Sequence, residues 1–208
     1  MTEAGAATVE AGNFYDKYGT SNPIERRMVA GFMRAVAELV ARSGAREAHE
    51  VGCGEGELAM MLARRGIGIR GSDLSDEVLT EARRRADAAG LDVAFRAAAM
   101  ETMDSARDAA ELIVCCEVLE HVPDPRAAVD SLARLASPWL LASVPREPLW
   151  RALNMARGKY LGELGNTPGH LNHFTRRGFH RLLAARFELV EARAPLPWSM
   201  ALCRVRAA

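Results

Sequence analysis

Apolar and polar residues follow a helical period in some stretches of the chain and an extended period in others. Between 23 and 42 the apolar positions, among them Met28 and Phe32, recur at helical spacing. Asn22 suits the cap of this helix and Pro23 its first position. Short apolar runs and amphipathic helical segments then alternate, which predicts βαβ units and a mostly parallel sheet covered by helices.

Seven strands and at least five helices are predicted from this pattern. The strands are 48–51, 67–72, 91–97, 112–116, 139–144, 187–192 and 200–205, and the helices are 23–42, 58–65, 76–89, 125–136 and 149–160. The last two strands are joined by a short proline-containing loop and predict an antiparallel hairpin at the sheet edge. We therefore expect an α/β, Rossmann-like fold with a mostly parallel seven-stranded sheet and helices on both faces. A single domain over 1–208 is expected, with residues 1–12 mobile.

Composition excludes several classes of protein. The 208 residues are 49% apolar and 26% charged, with a formal net charge of zero, so the basic excess of a general nucleic-acid binder is missing. No apolar run approaches the ~20 residues of a membrane span, and the N-terminus lacks the pattern of a secretory signal. The four cysteines include no C-x-x-C pair and are expected to be buried thiols. These features predict a cytoplasmic protein, either a monomer or a homodimer.

A glycine-rich turn follows the first predicted strand and carries the first chemical signal. It reads G-x-G-x-G, and Glu50, Glu55 and Glu57 surround it. Carboxylates oppose a pyrophosphate at a helix N-terminus, which argues against a nicotinamide cofactor. Asp73 ends the next strand, 19 residues after Gly54, where an acidic side chain can hold two ribose hydroxyls. A ligand with a ribose, a positive charge and no phosphate is S-adenosylmethionine.

Four segments together resemble a known family. They are NPIERR at 22–27, EVGCGEGELA at 50–59, GSDLS at 71–75 and CCEVLEHVPDP at 115–125. From about 22 to 205 the chain resembles the class I S-adenosylmethionine-dependent methyltransferases. Within them it is most similar to the ubiquinone-pathway O-methyltransferases and their type 11 relatives.

The resemblance implies a role for each matching residue of the cofactor site. Glu50, Gly52 and Gly54 would line the methionine part, Asp73 would hold the ribose, Leu74 would pack on the adenine, the Met100 N–H would bond to the adenine, and Cys116 would back the cofactor through its main chain. The chain departs from the pattern after the third strand, where many relatives have an aspartate and this sequence reads AAAME at 97–101. The usual carboxylate–adenine bond is then either absent or supplied by Glu101.

Glu117, Glu120 and His121 follow the fourth predicted strand. On a helical turn these three positions would share one face. They could then hold a divalent cation that lowers the pKa of an acceptor hydroxyl. Alternatively, His121 could act as a general base, or the cluster could only shape the loop. The sequence leaves these alternatives open.

Residues 145–174 are long for a connection at the ligand edge of an α/β sheet. We expect this insert to face the methyl acceptor, and we expect His173 or His121 to handle the acceptor proton, with Glu117 beside it. The helix predicted at 149–160 has basic and apolar faces, so a weak contact with a membrane surface is open.

The sequence therefore predicts an S-adenosylmethionine-dependent methyltransferase for a small organic acceptor, with a hydroxyl or phenol as the methylated group. N- or C-methylation is one alternative, and a cofactor-binding module without turnover is another. A divalent cation stays open as a second cofactor. Tyr15 and Tyr18, with the helix that starts at Pro23, are expected to close over the cofactor as a lid.

Overall fold

The computed structural model describes residues 21–206. The segment 1–12 and the lid candidates Tyr15 and Tyr18 lie outside the described residues, so these predictions stay predictions.

Strands and helices alternate through the described chain as the hydrophobic pattern predicts. The helices are α1 (Pro23–Ser43), α2 (Glu57–Ala63), α3 (Asp76–Ala88), α4 (Ser105–Asp108), α5 (Pro125–Leu135), α6 (Leu149–Ala156) and α7 (Arg176–Leu183). The strands are β1 (Glu47–Val51), β2 (Gly68–Asp73), β3 (Ala94–Ala97), β4 (Ala110–Cys116), β5 (Ala136–Pro145), β6 (Phe187–Arg193) and β7 (Trp198–Val205). Short 3₁₀ turns lie at Met100–Thr102 and Leu161–Glu163.

The seven strands form one sheet in the order β3-β2-β1-β4-β5-β7-β6. Strands β1 to β5 pair in parallel, whereas β7 is antiparallel to both β5 and β6. The predicted α/β fold with a C-terminal hairpin is confirmed. The second strand of the hairpin, β7, inserts next to β5, so β6 becomes the edge. The C-terminal ends of the parallel strands meet at one edge of the sheet, where α/β proteins bind their ligands.

Side chains along the central strand alternate between two apolar layers. On β4, Leu112 and Val114 pack with α1, α2 and α3, whereas Ile113 and Cys115 pack with α5 and α7. This alternation follows from the two-residue period of a strand, and it explains why β4 is apolar from Leu112 to Cys116. All four cysteines are buried free thiols, as predicted.

Local signals set the helix ends. The Asn22 side chain accepts a hydrogen bond from Ile24 N at 2.9 Å, and Gly44 ends α1 with φ 70°. The predicted helix 149–160 is shorter than expected. It ends in a Schellman motif, in which Gly158 has φ 69° and Lys159 N donates to Asn154 O at 2.9 Å.

A helix long and apolar enough to cross a membrane does not occur between residues 21 and 206.

Candidate active site

The glycine turn between β1 and α2 is tied to the end of β2. Gly52, Gly54 and Gly56 all have positive φ, at 78°, 51° and 79°. Gly52 N donates to Ser72 O at 2.7 Å, and Gly54 N donates to the Asp73 carboxylate at 2.9 Å. The turn therefore has a conformation that glycine favours, and Asp73 is fixed beside it.

The three carboxylates around this turn have different surroundings. Glu50 is buried at the end of β1. Glu55 and Glu57 each form an ion pair with Arg85 of α3, at 2.6 Å. Arg85 also pairs with Glu81, at 2.7 Å, so its single positive charge offsets only part of the negative charge of Glu55 and Glu57. Carboxylates therefore still outnumber the cation that faces them at the turn.

The remaining predicted cofactor residues lie at the same edge of the sheet. Leu74 is 62% exposed directly after β2, so its side chain is accessible to a ligand. Met100 is buried where the 3₁₀ turn begins after β3, and Cys116 is buried at the end of β4. The structure thus brings these positions to the ends of β2, β3 and β4, in the order that the resemblance implies.

Glu117 does not lie on a helical turn. Its φ is +62°, which is rare for a residue with a side chain, and its N–H donates to Ser143 O at 3.1 Å. Its carboxylate accepts hydrogen bonds from Ser143 Oγ at 2.9 Å and from Trp198 Nε1 at 2.6 Å. The prediction of one face shared by Glu117, Glu120 and His121 is therefore wrong, because the left-handed residue directs Glu117 toward β5 and β7.

A different triplet forms beside it. The ligand atoms of Glu120, His121 and His170 all lie within 4.8 Å of one another. The rings of His121 and His170 meet edge to face, with centroids 4.9 Å apart. Burial, with smaller contributions from the neighbouring histidines His121 and His173, lowers the pKa of His170 to about 4, so its imidazole is neutral at pH 7.

A hydrogen bond to the loop after α6 orients the His121 ring. Its Nδ1 lies 2.9 Å from the carbonyl oxygen of Gly169. A carbonyl can only accept, so the hydrogen of a neutral His121 is on Nδ1 and the lone pair is on Nε2. His121 therefore has the tautomer in which Nε2 can take up a proton or bind a cation.

These residues line an open cleft of about 960 Å³, counting the space continuous with solvent. Its walls come from α1, the turn after β4, the insert 145–174 and the start of β7. Named by type, they include the aromatic residues Trp150, Tyr160 and Trp198, the apolar residues Met28, Val29 and Leu153, and the polar residues Glu25, Glu117, Glu120, His121, Asn154, Arg157, Lys159, Thr167 and His170. This mixture of apolar surface and a few polar groups is typical of small-molecule sites.

His173 lies away from this wall. It is exposed, and its Nε2 is 2.7 Å from Asn166 Oδ1. His170, three residues earlier, lies in the cleft instead. The sequence pattern of two histidines before Phe174 did not distinguish them, because the loop carries no period that tells which side chain points inward.

Two further residues of the cleft were not predicted. Trp198 packs against Phe32 and Trp150, with ring centroids 4.9 and 5.9 Å away, and bonds to Glu117. Asn154 is 1% exposed and bonds to the loop that carries His170. Asn154 could have been found from the sequence, because an asparagine among the apolar positions of an amphipathic helix is a local signal of a buried polar contact.

A buried polar network supports the glycine turn from below. His49 of β1 is 2% exposed, its Nδ1 lies 2.8 Å from Asp108 O, and its Nε2 lies 3.0 Å from Ser72 Oγ. Burial lowers the pKa of His49, so the imidazole is neutral in the folded protein at pH 7. Because the Ser72 carbonyl accepts from Gly52 N, the network connects the sheet interior to the turn.

Comparison with known proteins gives matches in sequence and in structure. Residues 48–139 match the family described as a methyltransferase domain. The chain is 35% identical over 133 residues to a ubiquinone biosynthesis O-methyltransferase of Alkalilimnicola ehrlichii, a match that covers 62% of this chain and 54% of that protein. A protein of the same name from Methylococcus capsulatus is 42% identical over 94 residues, covering 45% and 40%. The chain spans about half the length of these relatives.

Solved structures share the fold across nearly the whole chain. A magnesium protoporphyrin IX methyltransferase from Synechocystis PCC 6803, crystallised with bound SAH, has a TM-score of 0.71 at 20% identity, and the match covers 90% of both chains. The N-methyltransferase NodS from Bradyrhizobium japonicum WM9, in complex with S-adenosyl-L-homocysteine, has a TM-score of 0.66 at 20% identity, again covering 90% of both chains.

Proposed function

We propose that this chain is a class I S-adenosylmethionine-dependent methyltransferase that methylates a hydroxyl group of a small organic acceptor. S-adenosylmethionine is the methyl donor. The observation that carries the proposal is the bond between Gly54 N and the Asp73 carboxylate, which joins the glycine turn and the acidic end of β2 in one cradle. The similarity to ubiquinone biosynthesis O-methyltransferases supports the choice of oxygen.

The residues at the sheet edge fit this cofactor. Each Asp73 oxygen accepts one backbone N–H, from Gly54 and from Ser75, and each keeps a lone pair for a ribose hydroxyl. Glu50, Gly52 and Gly54 would line the methionine part, where the buried Glu50 gives negative potential opposite a positive ligand. The bound cofactor supplies an electrophilic methyl group on a sulfonium.

The adenine end is the least polar part of the proposed site. The exposed face of Leu74 would pack on the ring, and Met100 would present its backbone N–H to it, with Cys116 lining the floor through its main chain. The covering of Leu74 by adenine would account for its 62% exposure here. A carboxylate from Glu101 is the remaining candidate for the adenine amine.

The cleft would hold the acceptor and manage its proton. Trp150 and Leu153 supply apolar surface for a ring, and Glu117, fixed by two donors, supplies a fixed hydrogen-bond acceptor. His121 would take the proton of the acceptor hydroxyl through Nε2, because Nδ1 is bonded to Gly169 O. The transfer itself needs alignment and the exclusion of water more than covalent chemistry.

A divalent cation is the second candidate for activating the acceptor. The 4.8 Å cluster of Glu120, His121 and His170 favours it, since two imidazoles and a carboxylate form a suitable donor set. A cation there would lower the pKa of a bound hydroxyl. Activity lost in EDTA and restored by one divalent metal would support this version, and activity unchanged by EDTA would exclude it.

The cofactor assignment predicts a measurable loss on substitution of Asp73. S-adenosylhomocysteine should bind with micromolar affinity, about −8 kcal/mol. Asp73→Ala should weaken it by about 1.5–3 kcal/mol, since hydrogen bonds to a charged group are lost. Asp92→Ala, at an exposed position before β3, is the matched control. Calorimetry that shows binding of NAD and none of S-adenosylhomocysteine would refute the assignment.

The role of His121 is tested by methyl transfer. With a panel of phenols, amines and carboxylates, we expect transfer to phenols or other hydroxyls. His121→Asn should slow turnover by about 10²–10⁴-fold with nearly unchanged cofactor affinity. His173→Asn, outside the cleft, should have little effect. If only His173→Asn slows the reaction, His121 is not the proton acceptor, and if amines alone are methylated, the choice of oxygen is wrong.

A further inference from the structure

The loop 165–172 carries both Gly169 and His170 to the cleft, and it is anchored at two ends. At its second end, the backbone N–H groups of Leu171 and Asn172 donate to Glu120 O at 2.8 and 3.0 Å. This anchor joins the loop to the same turn that carries His121.

The first anchor is the side chain of Asn154. Its Nδ2 donates to Gly165 O at 2.9 Å and to Thr167 Oγ1 at 3.1 Å. The Trp150 indole N–H reaches the same Thr167 hydroxyl at 2.9 Å. The loop also lies directly on α6, because a Cβ at Gly165 would overlap the carbonyl oxygen of Arg151. A small shift of Asn154 would therefore move the loop backbone.

Asn154 has the hydrogen bonds that such a role requires. Asn154 is 1% exposed, and only an N–H can donate to the Gly165 carbonyl, so the orientation of its amide is fixed. Its Oδ1 accepts from Arg157 at 2.6 Å, and Arg157 in turn pairs with the buried Glu25 of α1 at 2.8 Å. The Nδ2 end of the amide thus bonds to the loop, and the Oδ1 end bonds to Arg157 at the end of α6.

We propose that Asn154 is a positioning residue, which holds the loop 165–172 so that the Gly169 carbonyl fixes the Nδ1–H tautomer of His121. The inference rests on the proposed function of His121 as the proton acceptor. Between the two anchors, Gly169 O is 2.9 Å from His121 Nδ1, and no other tautomer of a neutral ring satisfies that contact. Asn154 acts on the reaction through this carbonyl.

The test separates the two ends of the amide. Asn154→Asp keeps an acceptor for Arg157 but replaces the donors to Gly165 and Thr167 with a second acceptor. Asn154→Ala removes the donor end and the acceptor end of the amide. Long-range ¹H–¹⁵N spectra of the full chain, with the His121 signals assigned from His121→Asn, report the tautomer directly. We expect Nδ1–H in the wild type and a substantial Nε2–H population in both variants.

Kinetics give a second measurement. Both Asn154 variants should lower kcat at least tenfold, with the KM for S-adenosylmethionine within about threefold of wild type. Leu183→Ala, in the core at the end of α7 and away from the cleft, is the control that measures the effect of lost stability alone on kcat. If the Asn154 variants do not fold, Thr167→Val loosens the loop in another way, because it removes the hydroxyl that accepts from Asn154 and Trp150. It should shift the tautomer in the same direction.

Each outcome has a defined meaning. A His121 ring that stays Nδ1–H in the folded variants of Asn154 or Thr167 overturns the inference, as does a wild-type ring in the Nε2–H form. A tautomer that shifts as expected in a protein that transfers no methyl group supports the positioning role and contradicts only the proposed function.

Discussion

At the scale of the residue, Glu117 shows how one backbone dihedral decides what a side chain can do. With φ at +62°, its carboxylate meets donors on β5 and β7. The strain of a left-handed residue is offset by two hydrogen bonds to a charged group. The spacing of residues 117–121 is compatible with a helical turn, and a local pattern cannot show the left-handed conformation of Glu117. The reason is that one of its partners, Trp198, is 81 residues away in the sequence.

The Trp198–Glu117 bond predicts a specific loss of stability. Trp198→Phe keeps an aromatic ring against Phe32 and Trp150 but removes the indole N–H. We expect the free energy of unfolding to fall by about 1.5–3 kcal/mol, since a hydrogen bond to a carboxylate is lost. Denaturant unfolding measures it. Trp139→Phe, half-buried on β5, is the matched control and should lose less, so equal losses would show that the bond contributes little.

At the scale of the element, most of the fold could be predicted from the chain. Periodicity located all seven strands and the main helices, because each buries one stripe or face. The five helices listed from the pattern do not include α7 or the short α4, whose four residues carry no period. Helix α6 was predicted too long because Gly158 lies inside an otherwise helical pattern. The cofactor edge was also predictable, since the glycine turn and Asp73 lie at strand ends.

Alanine substitutions at two glycines separate the effect of steric overlap from the effect of backbone strain. Gly52 and Gly90 both have positive φ, at 78° and 64°, but only a Cβ at Gly52 would overlap a neighbour, Val118 Cγ2. Gly90→Ala should therefore cost about 1–2 kcal/mol of stability from strain alone. Gly52→Ala should cost more and should weaken S-adenosylhomocysteine binding at least tenfold.

Val118→Ala added to Gly52→Ala makes the test decisive. The second substitution removes the overlapping methyl groups but leaves φ unchanged, so it should recover part of the stability lost in Gly52→Ala. Thermal unfolding of the single and double variants measures the recovery. No recovery, together with equal losses at Gly52 and Gly90, would show that packing against Val118 does not limit the turn.

At the scale of the whole molecule, the cleft exists only because four distant segments meet. Glu25 of α1 pairs with Arg157 at the end of α6, across 132 residues of sequence. Trp198 and Glu117 close another side. No pattern within a window of sequence contains these pairs, so the acceptor side could be placed on 145–174 but its individual residues, His170 rather than His173 among them, could not be chosen.

The same long-range assembly places an ionisable group in the interior. His49 lies among charges from three other segments: Arg70 of β2, Arg96 of β3 and Asp108 of α4. Burial and the two arginines lower its pKa, whereas the contacts with Asp108 raise it, and burial is the largest effect. The folded protein thus holds His49 neutral at a pH where an exposed histidine is partly charged.

The stability of the fold should therefore depend on pH between neutrality and mild acid. Above about pH 6.5 His49 is neutral in both states, and its contribution is complete. As the pH falls below 6.5, His49 of the unfolded chain takes up a proton before His49 of the folded chain. Protonation therefore stabilises the unfolded state, and the free energy of unfolding decreases until the pH has passed the pKa of His49 in the folded state. We expect the melting temperature of the wild type to fall from pH 7.5 to pH 5.5. It should fall less in His49→Gln, which is less stable at pH 7.5 but has no imidazole at this position to take up a proton.

His173→Gln, on the exposed loop, should keep the wild-type dependence of the melting temperature on pH. An equal pH dependence in wild type and His49→Gln would show that the buried network under the glycine turn tolerates a charged imidazole.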